Sequence, residues 1–212
     1  MALRWLPGRP ARVGFGPAHA RSLGAAAADL HAGGRGCELP QSGWLKSWDH
    51  SLMAGAGDLG ALSAVVGDSV LETVADLEDR LAAAEESLGK AGYGVINADL
   101  GPHNTVWNAG RPGLVDFNDS GWGYFAFDLA RFLRGLAGRE GGDALVESAL
   151  EGYQEVADLP EAYAPYGCLF GAAADLFLAR YLAPQIAKRG PETTQRVRDL
   201  IRGVNRALED VA

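Results

Sequence analysis

Residues 93–119 read YGVINADLGPHNTVWNAGRPGLVDFND, and the fold of the chain is best inferred outward from this stretch. It contains short runs rich in Val, Ile, Thr and Trp, separated by Gly, Pro and Asn. Apolar and β-branched runs between turn-forming residues are typical of β-strands. We therefore predict strands around residues 95–96, 105–107 and 114–117, and a hairpin turn at residues 108–112 that joins the last two.

This hairpin would bring polar side chains together. If it is centred on Gly110, Asn104 and Asp116 are each six residues from the centre and lie roughly opposite each other. Residues of equal parity share one face of a sheet, and Asp99 in the preceding loop can fold over that face. The sequence therefore predicts two carboxylates and one amide oxygen at a single place.

Oxygen donors of this kind suit Mg²⁺, which takes one or two protein carboxylates together with substrate phosphates. The spacing also matches a phosphoryl-transfer site, where one Asp accepts the hydroxyl proton while an Asn and a second Asp hold metal ions. Asp99, Asn104 and Asp116 would take these positions. Each residue alone is better interpreted as a turn former or a strand-end cap. The three together favour the site.

Four motifs follow one another in and after this stretch. They are Asn97-x-Asp99-x-x-x-x-Asn104, Asp116-Phe117-Asn118-Asp119, Gly121-Trp122-Gly123 and Phe127-Asp128-Leu129-Ala130. Their order and separations resemble those of the aminoglycoside phosphotransferase and choline kinase-like family, small-molecule kinases related in fold to protein kinases.

The resemblance implies a protein kinase-like fold that is mainly α with a small β-hairpin, with ATP and Mg²⁺ as cofactors and a small-molecule hydroxyl as acceptor. It implies Asp99 as the catalytic base, Asn104 and Asp116 as Mg²⁺ ligands, and Asp128 as a buried carboxylate that supports the catalytic loop. The first motif position is usually His in this family and is Asn97 here. An Asn side chain can still hydrogen-bond the loop backbone, so we expect Asn97 to support the loop as well.

Residues 3–9 resemble the phrase that joins the small N-terminal lobe of this family to its helical lobe, which implies that Arg4 and Trp5 lie beside the nucleotide. The family's small lobe carries a glycine-rich loop and a phosphate-binding Lys. No such sequence precedes residue 3. We therefore expect residues 1–212 to form a single helical C-terminal lobe that lacks the β-rich N-terminal lobe.

Within that lobe, we expect a hinge remnant at residues 1–9, the catalytic and metal-binding loops at 93–119 and a helical substrate region at 124–212. A gene fragment, a misplaced start codon or a lobe supplied by a partner would each explain why that lobe is not seen. The isolated chain is then expected to be inactive and to form a dimer or associate through its exposed hinge.

Two other functions fit parts of the sequence. A non-catalytic kinase remnant or interaction module would keep the helical lobe without the nucleotide clamps. A metal-dependent hydrolase would use the acidic cluster to activate water, but the Asn in that cluster and the lack of a His-rich ligand set argue against it.

Composition bounds the partners and the compartment. The 212 residues are 48% hydrophobic and 22% charged, as expected of a globular domain of ordinary size. A net charge of −8 argues against a nucleic-acid partner. The sequence has no secretory leader pattern, and its most apolar run, 168–178, contains Asp175 and is too short to cross a bilayer. We expect a cytoplasmic protein that acts away from membranes.

Helical periodicity predicts helices at residues 17–32, 69–88, 124–136, 143–157, 161–182 and 192–209. A Ser69-x-x-Glu72 capping box marks the start of the second, and Gly33-Gly34 marks the end of the first. His31 is expected to be a packing residue. Asp128 lies in an apolar stripe, where a carboxylate is costly unless it is hydrogen-bonded, so we predict that it accepts bonds from the loop backbone.

The acceptor site is harder to infer. Glu151, Glu155 and Asp175 could bind a cationic amine, but all three fit surface or buried structural acids equally well.

Overall fold

The computed structural model of the protein describes residues 6–10, 14–37, 45–55 and 59–210. It is mainly helical with small sheets. In chain order the elements are β1 (Arg9–Pro10), α1 (Pro17–Arg35), β2 (Lys46–Trp48), α2 (Leu59–Val66), α3 (Val70–Leu88), β3 (Tyr93–Ile96), β4 (Thr105–Asn108), β5 (Arg111–Leu114), β6 (Gly121–Tyr124), α4 (Phe125–Ala137), α5 (Gly142–Gln154), α6 (Tyr163–Leu182), α7 (Ile186–Arg189) and α8 (Pro191–Asp210). Short π and 3₁₀ turns lie at Ser51–Gly55, Pro102–Asn104 and Ala183–Gln185.

The chain divides into two compact units. The first contains residues 1–46 and 92–160, and the second contains residues 47–91 and 161–212. The single-lobe boundaries inferred from the sequence stay a prediction.

The predicted hairpin is present in the first unit, but its register differs from the one expected. Strands β4 and β5 pair antiparallel from Thr105 opposite Leu114 to Asn108 opposite Arg111, and β1 pairs with the outer edge of β4. The turn has two residues, Ala109 and Gly110, both with positive φ (48° and 76°). Such two-residue turns match the right-handed twist of the strands, and this one moves the centre of the hairpin by half a residue.

Asn104 therefore faces Val115, whose N–H donates to the Asn104 carbonyl oxygen over 3.0 Å. The expectation that Asn104 and Asp116 lie opposite each other is wrong, because it assumed a turn centred on Gly110.

A second antiparallel pair, β3 with β6, runs from Tyr93 opposite Tyr124 to Ile96 opposite Gly121. Helix α1 packs on β3 and continues to Arg35, past the predicted end at residue 32. A Cβ at residue 34 would lie 2.1 Å from the Val95 carbonyl oxygen. Gly34 is therefore required for close packing, and it does not end the helix.

The core of the first unit forms where α1, α4 and α5 meet. Helix α1 crosses α5 closely, because a Cβ at Gly24 would lie 1.9 Å from the Ala149 carbonyl oxygen and one at Gly152 would lie 1.9 Å from the Arg21 carbonyl oxygen. Helix α4 then buries a face of large side chains, Phe125, Phe127, Leu129, Phe132, Leu133 and Leu136. Its first turn carries Asp128 in the middle of that face.

The second unit is built from α2, α3, α6 and α8. Helices α3, α6 and α8 each bury several apolar side chains, and α2 buries Leu62. One expectation needs correction here. The Ser69 side chain makes no capping hydrogen bond, because its backbone is already helical (φ −57°, ψ −20°). Trp48 is buried, with its ring against Phe177.

Over the described residues, no helix combines the length and the apolar character that crossing a membrane requires.

Candidate active site

The loop between β3 and β4 is held by side chains that satisfy its backbone. The Asn97 and Ala98 N–H groups donate to the two Asp128 carboxylate oxygens over 3.0 and 2.8 Å. The Asp99 N–H donates to the Asn97 side-chain oxygen over 3.0 Å. Three successive N–H groups are thus bound by side chains, and the conformation of the loop does not depend on a sheet or helix ladder.

Asp128 carries this arrangement from the first turn of α4. Its side chain is fully buried (0% exposed). An unpaired carboxylate in such a position would cost on the order of several kcal/mol. The hydrogen bonds predicted for Asp128 are present, and Asn97 is buried beside it. Behind Asp128, the Nε2 atom of His31 lies 3.1 Å from Oδ2 of the carboxylate.

Asp99 points to a partly exposed position, with 31% of its side chain accessible. Its Oδ2 atom accepts a 2.7 Å hydrogen bond from the Asn104 amide and lies 3.2 Å from Nε2 of His103. Its Oδ1 atom accepts a 3.2 Å hydrogen bond from Nη2 of Arg131. Asp99 and Asn104 are therefore brought into direct contact, as the sequence predicts.

These partners decide the charge of Asp99. Burial raises the pKa of the Asp99 carboxyl, but hydrogen bonds from His103 and Asn104 and the positive charge of Arg131 outweigh burial and hold the pKa below its usual value. The side chain is consequently a carboxylate at neutral pH. Within the described part of the chain, three donors approach a group that has about four acceptor positions, so a further hydroxyl can still donate to it.

His103 and Arg131 were missed by the sequence analysis. His103 lies four residues after Asp99, and Arg131 lies one helical turn after Asp128, on the same side of α4. That i, i+3 relation between Asp128 and Arg131 is the signal that could have identified Arg131.

Asp116 lies in different surroundings. It follows β5, is exposed, and makes no hydrogen bond or ion pair with any residue in the described ranges. Its φ of +61° is in the left-handed region, which costs a non-glycine residue about 1–3 kcal/mol, less for Asp than for most. The next residue, Phe117, is 49% exposed.

Positive φ angles are concentrated in this part of the protein. Among the described non-glycine residues they occur at Ala98, Ala109 and Asp116, all within residues 93–119. Ala109 is explained by the hairpin turn, whereas Ala98 and Asp116 lie in the two segments that flank the hairpin. Strained backbone is most frequent at functional sites, so these segments are the strongest candidates for one.

The residues present fit a hard divalent cation. The Asn104 amide nitrogen is used on Asp99, which leaves its oxygen available, and Asp116 supplies an unpartnered carboxylate. Mg²⁺ is commonly bound by one or two protein oxygens together with phosphates and water. Among the described residues, no set of three His, Cys, Asp or Glu side chains is grouped as a metal site, so phosphate oxygens would have to complete the shell.

Of the remaining predicted residues, Arg4 and Trp5 lie outside the described residues. Glu151 and Glu155 form ion pairs with Arg21 at the surface of the first unit. Asp175 is buried in α6 of the second unit.

Comparisons with known proteins identify a family and a fold. The sequence model described as APH, phosphotransferase enzyme family, matches residues 1–166. The comparison with curated proteins found no match.

Among solved structures, amicoumacin kinase hAmiN in complex with AMP-PNP, Ca²⁺ and Ami is similar with a TM-score of 0.73 and 18% identity, over 97% of this chain and 63% of that chain. A microcompartment-associated aminopropanol kinase is similar with a TM-score of 0.69 and 20% identity, over 90% of this chain and 61% of that chain. An ethanolamine kinase from Plasmodium vivax is similar with a TM-score of 0.64 and 10% identity, over 94% of this chain and 63% of that chain. These likenesses show a shared fold, and the present chain spans a little over three fifths of each of these structures.

Proposed function

Because the chain belongs to the phosphotransferase enzyme family, we propose that it provides the catalytic loop of an ATP-dependent kinase that phosphorylates a hydroxyl of a small molecule. The observation that carries the proposal is the position of Asp99. This carboxylate is partly exposed, and its backbone and both of its oxygens are held by neighbouring groups.

In this proposal Asp99 accepts the hydrogen of the acceptor hydroxyl. Phosphoryl transfer requires mainly that the reacting oxygen be oriented and that charge be neutralised. A carboxylate whose pKa is held low is a weak base, but it is a well-fixed hydrogen-bond acceptor, and that suits the orienting role. Asn97 and Asp128 keep the loop in place, so that Asp99 needs little rearrangement when the acceptor arrives.

Asn104 and Asp116 are proposed to hold Mg²⁺ through the amide oxygen and the carboxylate. The bound ion would neutralise charge on the phosphates of ATP. The solved amicoumacin kinase complex, which contains AMP-PNP and Ca²⁺, supports a nucleotide and a divalent cation as ligands of this fold.

The acceptor is proposed only as a class. The similar structures include kinases named for amicoumacin, aminopropanol and ethanolamine, and we propose a small amino alcohol or a hydroxylated antibiotic. Nucleic acid and membrane lipids are not proposed as partners.

The test is transfer of the γ-phosphate of radiolabelled ATP to a panel of ethanolamine, aminopropanol, choline, homoserine, sugars and aminoglycosides. With an N-terminal lobe supplied in cis or in trans, we expect Mg²⁺-dependent transfer to one class, reduced at least about 100-fold in Asp99→Asn, with ATP binding retained in that variant. Arg21→Gln, which removes two surface ion pairs, is the control. Equal transfer by wild type and Asp99→Asn would reject Asp99 as the residue that accepts the hydrogen of the substrate hydroxyl. A chain that binds neither ATP nor Mg²⁺-ATP would favour a non-catalytic interaction module.

A further inference from the structure

A buried chain of polar side chains lies behind the loop that carries Asp99. The Tyr153 hydroxyl is 2.8 Å from Nδ1 of His31, and Nε2 of His31 is 3.1 Å from Oδ2 of Asp128. Tyr153 and His31 are each 2% exposed. These three residues, called the relay below, come from α5, α1 and α4. The relay therefore connects three helices of the first unit at one point.

The hydrogen bonds have a defined direction. Asp128 already accepts the Asn97 and Ala98 N–H groups, so its carboxylate acts as an acceptor and Nε2 of His31 supplies the hydrogen. In a neutral imidazole, Nδ1 is then the acceptor, and the Tyr153 hydroxyl donates to it. Burial raises the pKa of Tyr153 to about 12, so this hydroxyl keeps its hydrogen through the physiological range.

The imidazole is also fixed by packing. The ring of Phe125 stacks on it with 4.9 Å between ring centroids, and the ring of Tyr153 lies on another side at 5.6 Å. Two ring contacts and two hydrogen bonds therefore hold the His31 imidazole in its orientation. Every polar side-chain atom of Tyr153, His31 and Asp128 has a partner. A buried network that is satisfied in this way adopts a single rigid arrangement.

These contacts of His31 affect the loop that carries Asp99. Asp128 can hold Ala98 at its positive φ of 60° only while both of its oxygens keep their orientation. The carboxylate rotates about one bond, and His31 is the partner that fixes this rotation from behind. The next link is Asn97, whose side chain holds the Asp99 N–H.

We propose that His31 and Tyr153 are positioning residues for Asp99, acting through Asp128 and the backbone of residues 97–98. The kinetic consequence rests on the proposed function. The structural consequence, a loop whose amides are protected by a side-chain relay, does not. Removing the relay lets the Asp128 carboxylate turn, and Asp99 shifts relative to the acceptor hydroxyl. A shift of about 1 Å in a reacting group can cost up to about 100-fold in rate.

Tyr153→Phe tests this most cleanly, because it removes one hydroxyl and leaves the ring. His31→Leu removes both hydrogen bonds, whereas His31→Gln keeps a donor that can reach Asp128. Tyr124→Phe, at a buried tyrosine of β6 in the same unit, is the matched control. For all five proteins, amide hydrogen exchange at residues 97–99 and along α4 and α5 is measured by NMR, followed by kcat and KM for ATP.

We expect Tyr153→Phe to speed exchange at residues 97–98 by about tenfold relative to α4, and His31→Leu to speed it more. His31→Gln should restore part of the protection. In the kinetic assay kcat should fall by about tenfold in Tyr153→Phe, with KM for ATP within about twofold. Tyr124→Phe should leave residues 97–99 unchanged.

Unchanged exchange at residues 97–99 in Tyr153→Phe would overturn the proposal, and so would acceleration by the same factor throughout α4 and α5. If His31→Leu does not fold, Tyr153→Phe and His31→Gln still decide it. If wild type transfers no phosphate even with an N-terminal lobe supplied, the proposed function fails, while the exchange measurement still decides whether the relay positions the loop.

Discussion

The two segments that flank the hairpin differ sharply in how they are supported. In the loop before β4, side chains bind the backbone N–H groups of residues 97–99, and neighbouring donors hold the Asp99 carboxylate. In the segment after β5, Asp116 and Phe117 are exposed, and Asp116 combines a left-handed backbone with a carboxylate that has no partner in the described residues. The protein organises the first segment itself. Under the proposed function, a ligand would organise the second.

This contrast predicts that the largest change in stability follows the loss of the Asp128 carboxylate. Asp128→Ala would leave the Asn97 and Ala98 N–H groups and His31 without their acceptor, and buried donors that lose a partner typically cost about 1–3 kcal/mol. We expect the free energy of unfolding to fall by that amount. Asp99→Ala should change it by less than about 1 kcal/mol, because Asp99 is partly exposed. Urea denaturation of both variants measures the difference, and the reverse order would mean that the structural and catalytic acids are exchanged.

Asp128 also shows what a single sequence can predict. A carboxylate in an apolar stripe is a local anomaly, visible without a structure, and its need for hydrogen bonds points to the nearest free backbone. The relay behind it is not local. His31 and Tyr153 are 97 and 122 residues from their partners along the chain, and only the packing of three helices brings them together.

Other errors have equally specific causes. The hairpin register depends on whether the turn has two residues or five, and Ala109-Gly110 differs from the common Asn-Gly signal at its first position. The sequence predicts a helix end at Gly33-Gly34 because glycine is common at helix C-termini, whereas in the structure the close approach of the Val95 carbonyl oxygen requires glycine at residue 34. Each family motif is short and local, so it can be recognised in the sequence without knowledge of the packing. The motifs could therefore identify the fold.

The second prediction concerns the strained segment. Asp116→Gly should raise the free energy of unfolding by about 0.5–1 kcal/mol, because glycine adopts positive φ without steric cost. Asn118→Gly, a change at a neighbouring exposed position, is the control and should not stabilise. Thermal unfolding without nucleotide or metal measures both. A destabilised Asp116→Gly would mean that the Asp116 side chain makes a stabilising contact in the free protein.

The smallest effect is expected at acidic pH. Because the pKa of Asp99 is lowered in the folded protein, its contribution to stability is present above the unfolded value of about 3.9 and is lost as pH falls through the folded value. Unfolding free energies of wild type and Asp99→Asn should therefore converge below about pH 4, by less than about 1 kcal/mol in all for so exposed a group. Parallel curves down to pH 2.5 would show that the neighbours of Asp99 do not favour its charged form.

The most direct test of the account is the affinity for ATP, measured by calorimetry with and without Mg²⁺, in wild type, Asp116→Ala and Asp99→Asn. If the loop of residues 97–99 orients the acceptor and the segment at Asp116 binds metal, Mg²⁺ should strengthen ATP binding in wild type and in Asp99→Asn. The gain in ATP affinity that Mg²⁺ causes should be at least about tenfold smaller in Asp116→Ala. An equal Mg²⁺ effect in wild type and Asp116→Ala would contradict the division of roles between the two segments.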